Sequence, residues 1–157
     1  MAVDPLAYRS AIGHFATGVA VVTCDGPDGP SGLTTNAVSS LSLDPLLLLV
    51  CFENASRTLT AVRGAGRFAV NVLRAGQEEL AAVFASKAMQ AEKFEAVTHR
   101  IEHAVPVLDD ALAWIACDVH ELHPGGDHTI GIGVVTHVWS APGEPAPLLF
   151  YRGAFGA

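Results

Sequence analysis

The sequence is short of positive charge. Nine lysine and arginine residues stand against 16 aspartate and glutamate residues, so the formal net charge is −7 with histidine neutral. Nucleic-acid binding depends on clustered lysine and arginine side chains that displace counterions from the phosphate backbone. No basic stripe occurs along the chain, and we therefore expect no nucleic-acid partner.

Long apolar runs and a secretory signal are also lacking. The densest apolar run is Leu46 to Phe52, seven residues, whereas a membrane-spanning helix needs about 20. The start of the chain has neither the positive residues nor the apolar stretch of a signal peptide. We expect a cytoplasmic protein that has no membrane partner.

Cysteine is scarce, and its placement is informative. The three cysteines, Cys24, Cys51 and Cys117, are odd in number and widely spaced, which argues against a disulfide framework. Each lies in an apolar segment where a thiol packs as a small hydrophobic group. His99 and His103 are four residues apart, but one adjacent acidic residue is their only obvious further ligand. We expect no metal site.

What the chain has in abundance is apolar residues. They make up 50% of its 157 residues, only 16% are charged, and the mean hydropathy is +0.37. These values exclude a disordered chain, and the length suits a single domain over residues 1–157. A lone sphere of this size would expose part of that apolar content, so we expect a homodimer.

Turn residues and alternating segments predict a mainly β chain with short helices. Asp4 and Pro5 supply an N-cap and a first helical residue, and we expect this helix to reach about Phe15. Strands are predicted at 19–24, 31–35, 46–52, 68–73, 113–122, 129–139 and 148–151. One short helix is predicted to begin at the cap sequence 54–58 and to end at about residue 63, and another is predicted at 77–85. Residues 86–106 are predicted to be irregular or weakly helical. This pattern favours a closed antiparallel barrel over a doubly wound sheet.

The two longest predicted strands are separated by a turn sequence. Residues 123–127 read His-Pro-Gly-Gly-Asp, which is typical of a tight connection. We therefore predict a hairpin with this loop at its tip, Asp127 in the loop and His128 next to it.

Common catalytic motifs do not fit their required context. The glycines of Gly64-Ala65-Gly66 follow a helix and enter a strand, the reverse of the order in a dinucleotide-binding loop. No phosphate-binding Gly-Lys-Ser/Thr loop and no Gly-x-Ser-x-Gly elbow is present. Assignment as a hydrolase would therefore be based only on the presence of suitable residue types.

Two polar segments remain, and each has two interpretations. Residues 34–40, Thr-Thr-Asn-Ala-Val-Ser-Ser, form either a hydrogen-bonded turn or a ligand cradle with donors aimed at a heterocycle or a phosphate. Residues 54–58 either cap a helix or bind an anion through Ser56, Arg57 and Thr58 at the helix start. On spacing alone, the turn is the better interpretation of the first segment.

Five ordered blocks give the chain a resemblance to a known family. They are Phe15-Ala16-Thr17-Gly18-Val19, residues 34–45 (Thr-Thr-Asn-Ala-Val-Ser-Ser-Leu-Ser-Leu-Asp-Pro), residues 66–73 (Gly-Arg-Phe-Ala-Val-Asn-Val-Leu), Gly126-Asp127-His128-Thr129 and residues 148–153 (Leu-Leu-Phe-Tyr-Arg-Gly). In these blocks the chain resembles the short-chain flavin reductases, which supply reduced flavin to two-component monooxygenases. The resemblance implies an antiparallel split β-barrel that works as a homodimer, and it favours a cradle at residues 34–40.

The resemblance also implies a set of flavin contacts. The isoalloxazine edge would be lined by Thr34, Thr35, Asn36 and Ala37. Ribityl or phosphate groups would be received by Ser39, Ser40, Ser56, Arg57 and Thr58, with Asn54 counted in the same cap segment. The phosphate end would be approached by Ser86 and Lys87.

The hairpin loop resembles the family's segment beside the nicotinamide. The resemblance gives His128 a catalytic role, in which it positions the dinucleotide or stabilises charge, with Asp127 beside it. It also places Tyr151 and Arg152 at the border of that site.

The implied reaction is hydride transfer from NADH to FAD or FMN, after which reduced flavin leaves for a separate flavin-dependent monooxygenase. Arginine is scarce near the hairpin loop, which favours NADH over NADPH because a 2′-phosphate usually binds a cation. Two other functions stay open: a non-catalytic flavin- or heme-binding module on the same barrel, and an enzyme related to pyridoxamine-phosphate oxidase.

Overall fold

Twelve strands and four helices make up the described part of the chain, residues 2–156 of a computed structural model. In chain order they are α1 (Pro5–Ile12), β1 (Thr17–Gly18), β2 (Ala20–Gly26), β3 (Gly29–Thr35), β4 (Val38–Leu43), β5 (Leu46–Glu53), α2 (Arg57–Ala65), β6 (Arg67–Val72), α3 (Glu78–Ala85), α4 (Gln90–Glu95), β7 (His99–Glu102), β8 (Val105–Leu108), β9 (Ala113–Gly125), β10 (His128–Ser140), β11 (Leu149–Tyr151) and β12 (Ala154–Phe155). The expected mainly β chain with short helices is confirmed. No helix among these residues is long and apolar enough to cross a membrane.

One sheet of seven strands dominates the fold, in the order β3-β2-β6-β9-β10-β5-β4. All of its neighbouring strands pair antiparallel. Its two edge strands, β3 and β4, follow each other in the chain and are separated only by Asn36 and Ala37. The sheet must therefore curl until its edges approach each other at this link. The expected closed barrel is not formed by hydrogen bonds, because β3 and β4 remain free edges among residues 2–156.

Both faces of the sheet are covered, which explains why the centre of β2 is buried on either side. Along β2, Val22 and Cys24 join a cluster with Phe52, Phe68 and residues of α2, on one face. The alternate residue Val21 joins a cluster with residues of α3 and α4. Strand alternation thus divides the core into two layers.

The helix starts follow from capping residues. The Asp4 side chain accepts a hydrogen bond from the Leu6 amide, and Pro5 opens α1 as expected. This helix ends at Ile12, earlier than the expected Phe15, with Gly13 as its C-cap. Helix α2 ends before Gly66, which has a φ of 70° that suits glycine.

The long hairpin of β9 and β10 is confirmed. His128 pairs with Gly125, so Gly126 and Asp127 form a two-residue tip. Gly126 has a φ of 72°, a conformation that a tight hairpin turn requires and that glycine adopts without strain.

Residues 86–106 are more regular than expected. They contain α4, β7 and the start of β8, and the strands form a separate two-stranded hairpin. Val105 and Val107 of this hairpin pack on Ala69, Trp114 and Ala116 of the main sheet. Residues 39 and 40 also lie in a strand, β4, where a turn or cradle was expected.

Asn71 fastens this small hairpin to the sheet. Its buried amide group donates to the Val21 carbonyl at 3.1 Å and to the Thr23 hydroxyl at 3.0 Å. Its carbonyl oxygen accepts from the Leu108 amide at 2.9 Å. The Thr23 hydroxyl in turn donates to the Pro106 carbonyl, so one side chain joins β6, β2 and β8.

We predict that Asn71→Ala lowers the free energy of unfolding by about 2 to 4 kcal/mol, because it removes three hydrogen bonds and leaves a buried amide unpaired. Urea denaturation measures this change. Asn36→Ala is the matched control, since Asn36 is exposed and makes one side-chain hydrogen bond, to Thr17. Equal small losses in both variants would contradict the role given to Asn71.

Candidate functional site

Two cavities flank the link between β3 and β4. The first, about 700 Å³, lies between β3, α2 and the 84–93 region, and we name it the cationic cavity. The second, about 650 Å³, lies between α1, β4 and the 150–153 region, and we name it the apolar cavity. Cys51 of β5 lines both cavities, so they are neighbours on the same stretch of sheet.

The structure divides the predicted site residues between these cavities. The cationic cavity is lined by Thr34, Thr35, Ser56, Arg57, Thr58, Ser86, Lys87 and His128. The apolar cavity is lined by Asn36, Ala37 and Ser39. Neither lining includes Ser40, Asn54, Asp127, Tyr151 or Arg152. The resemblance implied that Ser39 and Ser40 lie with the 56–58 segment. In the structure, neither serine lines the cavity that this segment lines.

The link between the cavities is a hydrogen-bonded turn. The Thr35 hydroxyl accepts from the Ala37 amide at 3.0 Å, and the Ala37 carbonyl accepts from the Cys51 amide at 3.0 Å. The Thr34 hydroxyl donates to the Ala81 carbonyl at 2.6 Å. The turn is thus confined to residues 36 and 37, because Thr34 and Thr35 belong to β3 and Ser39 and Ser40 belong to β4. Residues of this segment line both cavities, and its role as a ligand cradle stays a prediction.

The start of α2 is capped by its own side chains. The Ser56 hydroxyl accepts from the amides of Thr58 and Leu59 at 3.1 and 3.3 Å. The Thr58 hydroxyl lies 3.0 Å from that of Ser31, and Thr58 is buried. The capping interpretation is confirmed, and both hydroxyl groups already have protein partners.

Arg57 holds the loop that follows α3. Its guanidinium donates to the carbonyls of Lys87 and Ala88 at 3.2 and 2.6 Å. Ser86 stabilises the same loop, because its hydroxyl donates to the Val83 carbonyl at 2.7 Å and accepts from the Ala88 amide. These contacts fix one wall of the cationic cavity.

The charge in this cavity contrasts with that of the whole chain. Of nine lysine and arginine residues in the sequence, three line the cavity, namely Arg57, Lys87 and Lys93. The one acidic residue in its wall is Glu53. An acidic protein thus concentrates a third of its cations around one opening, which favours an anionic ligand. Lys93 was missed by sequence reasoning.

The apolar cavity has a different wall. Val38, Leu49 and Phe150 line it, and Arg9 is its one charged residue. Apolar walls with few polar groups are typical of sites that bind small molecules and cofactors.

The hairpin tip is fastened to β5 by Asn54. Its side-chain amide donates to the Gly126 carbonyl at 3.1 Å, and its backbone amide donates to the Asp127 carbonyl at 3.0 Å. The Thr129 hydroxyl donates to the side-chain Oδ1 of Asn54 at 2.7 Å. Asn54 therefore positions the tip, a role that the sequence did not indicate.

His128 is oriented by its neighbour. Its Nδ1 lies 2.7 Å from the Asp127 carboxylate, and this hydrogen bond lowers the pKa of Asp127 below its ordinary value. The carboxylate therefore stays ionised and favours a proton on Nδ1, which leaves Nε2 free for other contacts.

Tyr151 and Arg152 lie near the end of α1. The Tyr151 ring meets His14 edge to face, with ring centroids 6.4 Å apart. The Arg152 amide donates to the Gly13 carbonyl at 3.0 Å. Neither residue lines the cavity that contains His128, so the structure does not group them with the hairpin tip.

Comparison with known proteins identifies the family. Residues 12–157 match the family model described as "Flavin reductase like domain". The reductase subunit HsaB of a flavin-dependent monooxygenase from Mycobacterium tuberculosis is 39% identical over 155 residues, covering 98% of this chain and 82% of that protein. An NADH-dependent flavin reductase from a Rhodococcus species is also 39% identical, over 98% of this chain and 86% of its own. The chain belongs to the flavin reductase-like family, and the resemblance seen in its sequence is confirmed.

A solved structure agrees with this assignment. The NADH:FAD oxidoreductase SgcE6 of Streptomyces globisporus C-1027, in complex with NAD and FAD fragments, superposes with a TM-score of 0.91. It is 35% identical, and the match covers 100% of this chain and 96% of that one. This chain and that oxidoreductase therefore share one fold.

We predict that Cys51 is the one rapidly reacting thiol of the native protein. Burial raises the pKa of both Cys24 and Cys117 to about 12, so these thiols stay protonated and unreactive at about pH 8. Titration with a chromogenic disulfide should show one fast thiol, which Cys51→Ser removes and Cys24→Ser retains. A fast phase that persists in Cys51→Ser would contradict this arrangement.

Proposed function

We propose that this protein reduces FAD or FMN with NADH and releases the reduced flavin to a partner flavin-dependent monooxygenase. The observation that carries the proposal is the pairing of a cationic cavity with an apolar one at the same link, residues 36 and 37. A flavin nucleotide has the same two parts, an anionic phosphate tail and a planar ring.

The residues present fit such a ligand. Arg57, Lys87 and Lys93 supply positive charge for phosphate groups, while Val38 and Leu49 offer an apolar wall to the ring. The turn at 34–37 lies between the two regions, where it can contact both. Bound flavin supplies the chemistry, because its N5 accepts the hydride that NADH donates from the nicotinamide ring.

The chain contributes position and electrostatics. The hydrogen bonds at residues 34–37 hold the cavity wall in one geometry, and a fixed geometry lowers the entropic part of the barrier to transfer. His128 lies in the wall of the cationic cavity, held by Asp127 with its Nε2 free. From there it positions the dinucleotide or stabilises negative charge on the reduced ring.

The proposal includes a split barrel that works as a dimer. Helix α1 buries none of its residues, and Leu6, Tyr8 and Ile12 are 70%, 61% and 51% exposed. The apolar cavity runs beside this helix, so a second copy would cover the exposed side chains and complete that cavity. We place the dimer in the cytoplasm, where reduced thiols such as the three present here persist.

The deciding experiment is NADH oxidation by the purified protein, with FAD, with FMN and without added flavin. We expect turnover that requires added flavin and saturates with it. Absence of turnover with either flavin would overturn the proposal and favour a non-catalytic binding module. Flavin that survives dialysis would instead favour an enzyme related to pyridoxamine-phosphate oxidase.

We predict that His128→Ala lowers kcat/KM for NADH by about tenfold, a loss of about 1.4 kcal/mol in transition-state stabilisation. His123→Ala is the matched control, because His123 lies on the same hairpin and pairs with its own carboxylate, Glu121, at 2.6 Å. Steady-state kinetics should leave the control within about twofold of the wild type. A change of less than about threefold in His128→Ala would remove His128 from the site.

A further inference from the structure

Lys93 is a buried cation that lacks a counter-ion. Its side chain lies on α4, and the residue is only 4% exposed. Its Nζ donates to the Phe84 carbonyl, near the end of α3, at 3.1 Å. Among the ion pairs of residues 2–156, none involves Lys93. A buried ammonium group with one neutral acceptor is an unfavourable arrangement in a folded protein.

A second cation makes this arrangement more costly. Burial and the nearby charge of Arg57 both lower the pKa of Lys93 below its ordinary value. The Arg57 guanidinium is already bonded to the carbonyls of Lys87 and Ala88. Arg57 therefore repels Lys93, and no carboxylate among residues 2–156 is shared between the two cations to offset this repulsion. A bound anion would supply the missing counter-ion of Lys93 and would reduce its repulsion by Arg57.

Lys93 lies in the wall of the cationic cavity. Lys93, its acceptor Phe84 and its cationic neighbour Arg57 all line that cavity. An ammonium group has three donors, and the Phe84 carbonyl uses one of them. The other two have no acceptor among residues 2–156, so a ligand that reaches the ammonium group can accept from them.

The position of Lys93 is fixed by the packing of α4. The Gln90 side chain, one turn earlier, accepts from the Gly32 amide of β3 at 2.9 Å. Phe94 packs edge to face against Phe84, with ring centroids 5.2 Å apart. Lys93 is thus held between two anchored residues, whereas Lys87 is exposed on a loop.

We propose that Lys93 is the principal phosphate-binding cation of this site and that Arg57 and Lys87 are secondary to it. The ligand group is a phosphate or diphosphate of a nucleotide, carried by the flavin or by the dinucleotide. The assignment rests on the proposed function and specifies which side chain binds its anionic substrate. It differs from the sequence-based expectation, which gave this role to Arg57 and Lys87.

The test compares ligands with and without phosphate. Dissociation constants for FMN and riboflavin are measured by flavin fluorescence with wild-type protein, Lys93→Met and the control Arg74→Met, which removes an exposed cation that lines neither cavity. We expect Lys93→Met to weaken FMN binding by about 10- to 100-fold, the effect of one charge-assisted hydrogen bond. Riboflavin binding to Lys93→Met should stay within about twofold, and Arg74→Met should change FMN binding by less than about threefold.

A second arm separates the two sources of phosphate. If FMN binding is unchanged but the KM for NADH rises at least about tenfold in Lys93→Met, the phosphate belongs to the dinucleotide and the assignment stands. Equal losses for FMN and riboflavin, or no loss for either FMN or NADH, would overturn it. Lys93→Arg keeps the charge and should retain the wild-type preference for FMN over riboflavin, which gives a folded variant for comparison if the methionine variant does not fold.

Inorganic pyrophosphate makes the test independent of flavin reduction. Calorimetry should show that pyrophosphate binds wild-type protein and binds Lys93→Met at least about tenfold more weakly. A protein that binds pyrophosphate through Lys93 but oxidises no NADH would refute the proposed function alone. A protein that reduces flavin, and whose pyrophosphate affinity, FMN affinity and KM for NADH are all unaltered in Lys93→Met, would refute this inference alone.

Discussion

The two-residue link between β3 and β4 determines how the main sheet curls and where both cavities lie. These strands are opposite edges of a seven-stranded sheet, yet only Asn36 and Ala37 separate them in the chain. The sheet has to curl to satisfy this short connection, and its curl brings the polar turn, the end of β5 and the start of α2 into one region. The two cavities lie on either side of that link, with Cys51 common to both walls.

The two cavities differ in the charge and polarity of their walls. Most polar side chains around the cationic cavity already serve the fold: Ser56 caps α2, Arg57 holds the loop after α3, and Thr58 bonds to Ser31. What remains for a ligand is a set of positive charges with few acidic neighbours. The apolar cavity has the opposite character, and the junction between them suits a molecule that has one charged and one planar end.

The sequence predicts the elements whose pattern is local. Alternation along β9 and β10 and the turn composition of residues 123–127 indicate the long hairpin, and Asp4 and Pro5 indicate the start of α1. The β7–β8 hairpin escapes prediction because its turn residues, His103 and Ala104, adopt φ values of 50° and 60° without glycine or asparagine to mark them.

The site residues likewise fall into those that a local sequence pattern predicts and those that depend on tertiary packing. Thr34, Thr35 and Arg57 could be selected because they belong to recognisable polar segments and to a familiar order of blocks. Lys93 could not, because its burial depends on how α4 packs against the end of α3. Asn54 was predicted only as part of the cap segment, and its contact with the hairpin tip could not be predicted because Gly126 lies 72 residues further along the sequence.

A crystal structure of the protein with FAD and NAD bound would show directly whether the two cavities hold the flavin. We expect the flavin phosphates in the cationic cavity, within hydrogen-bond distance of Lys93 Nζ, the flavin ring against residues 34–37, and the nicotinamide beside His128. A flavin bound elsewhere, with both cavities empty, would contradict the account.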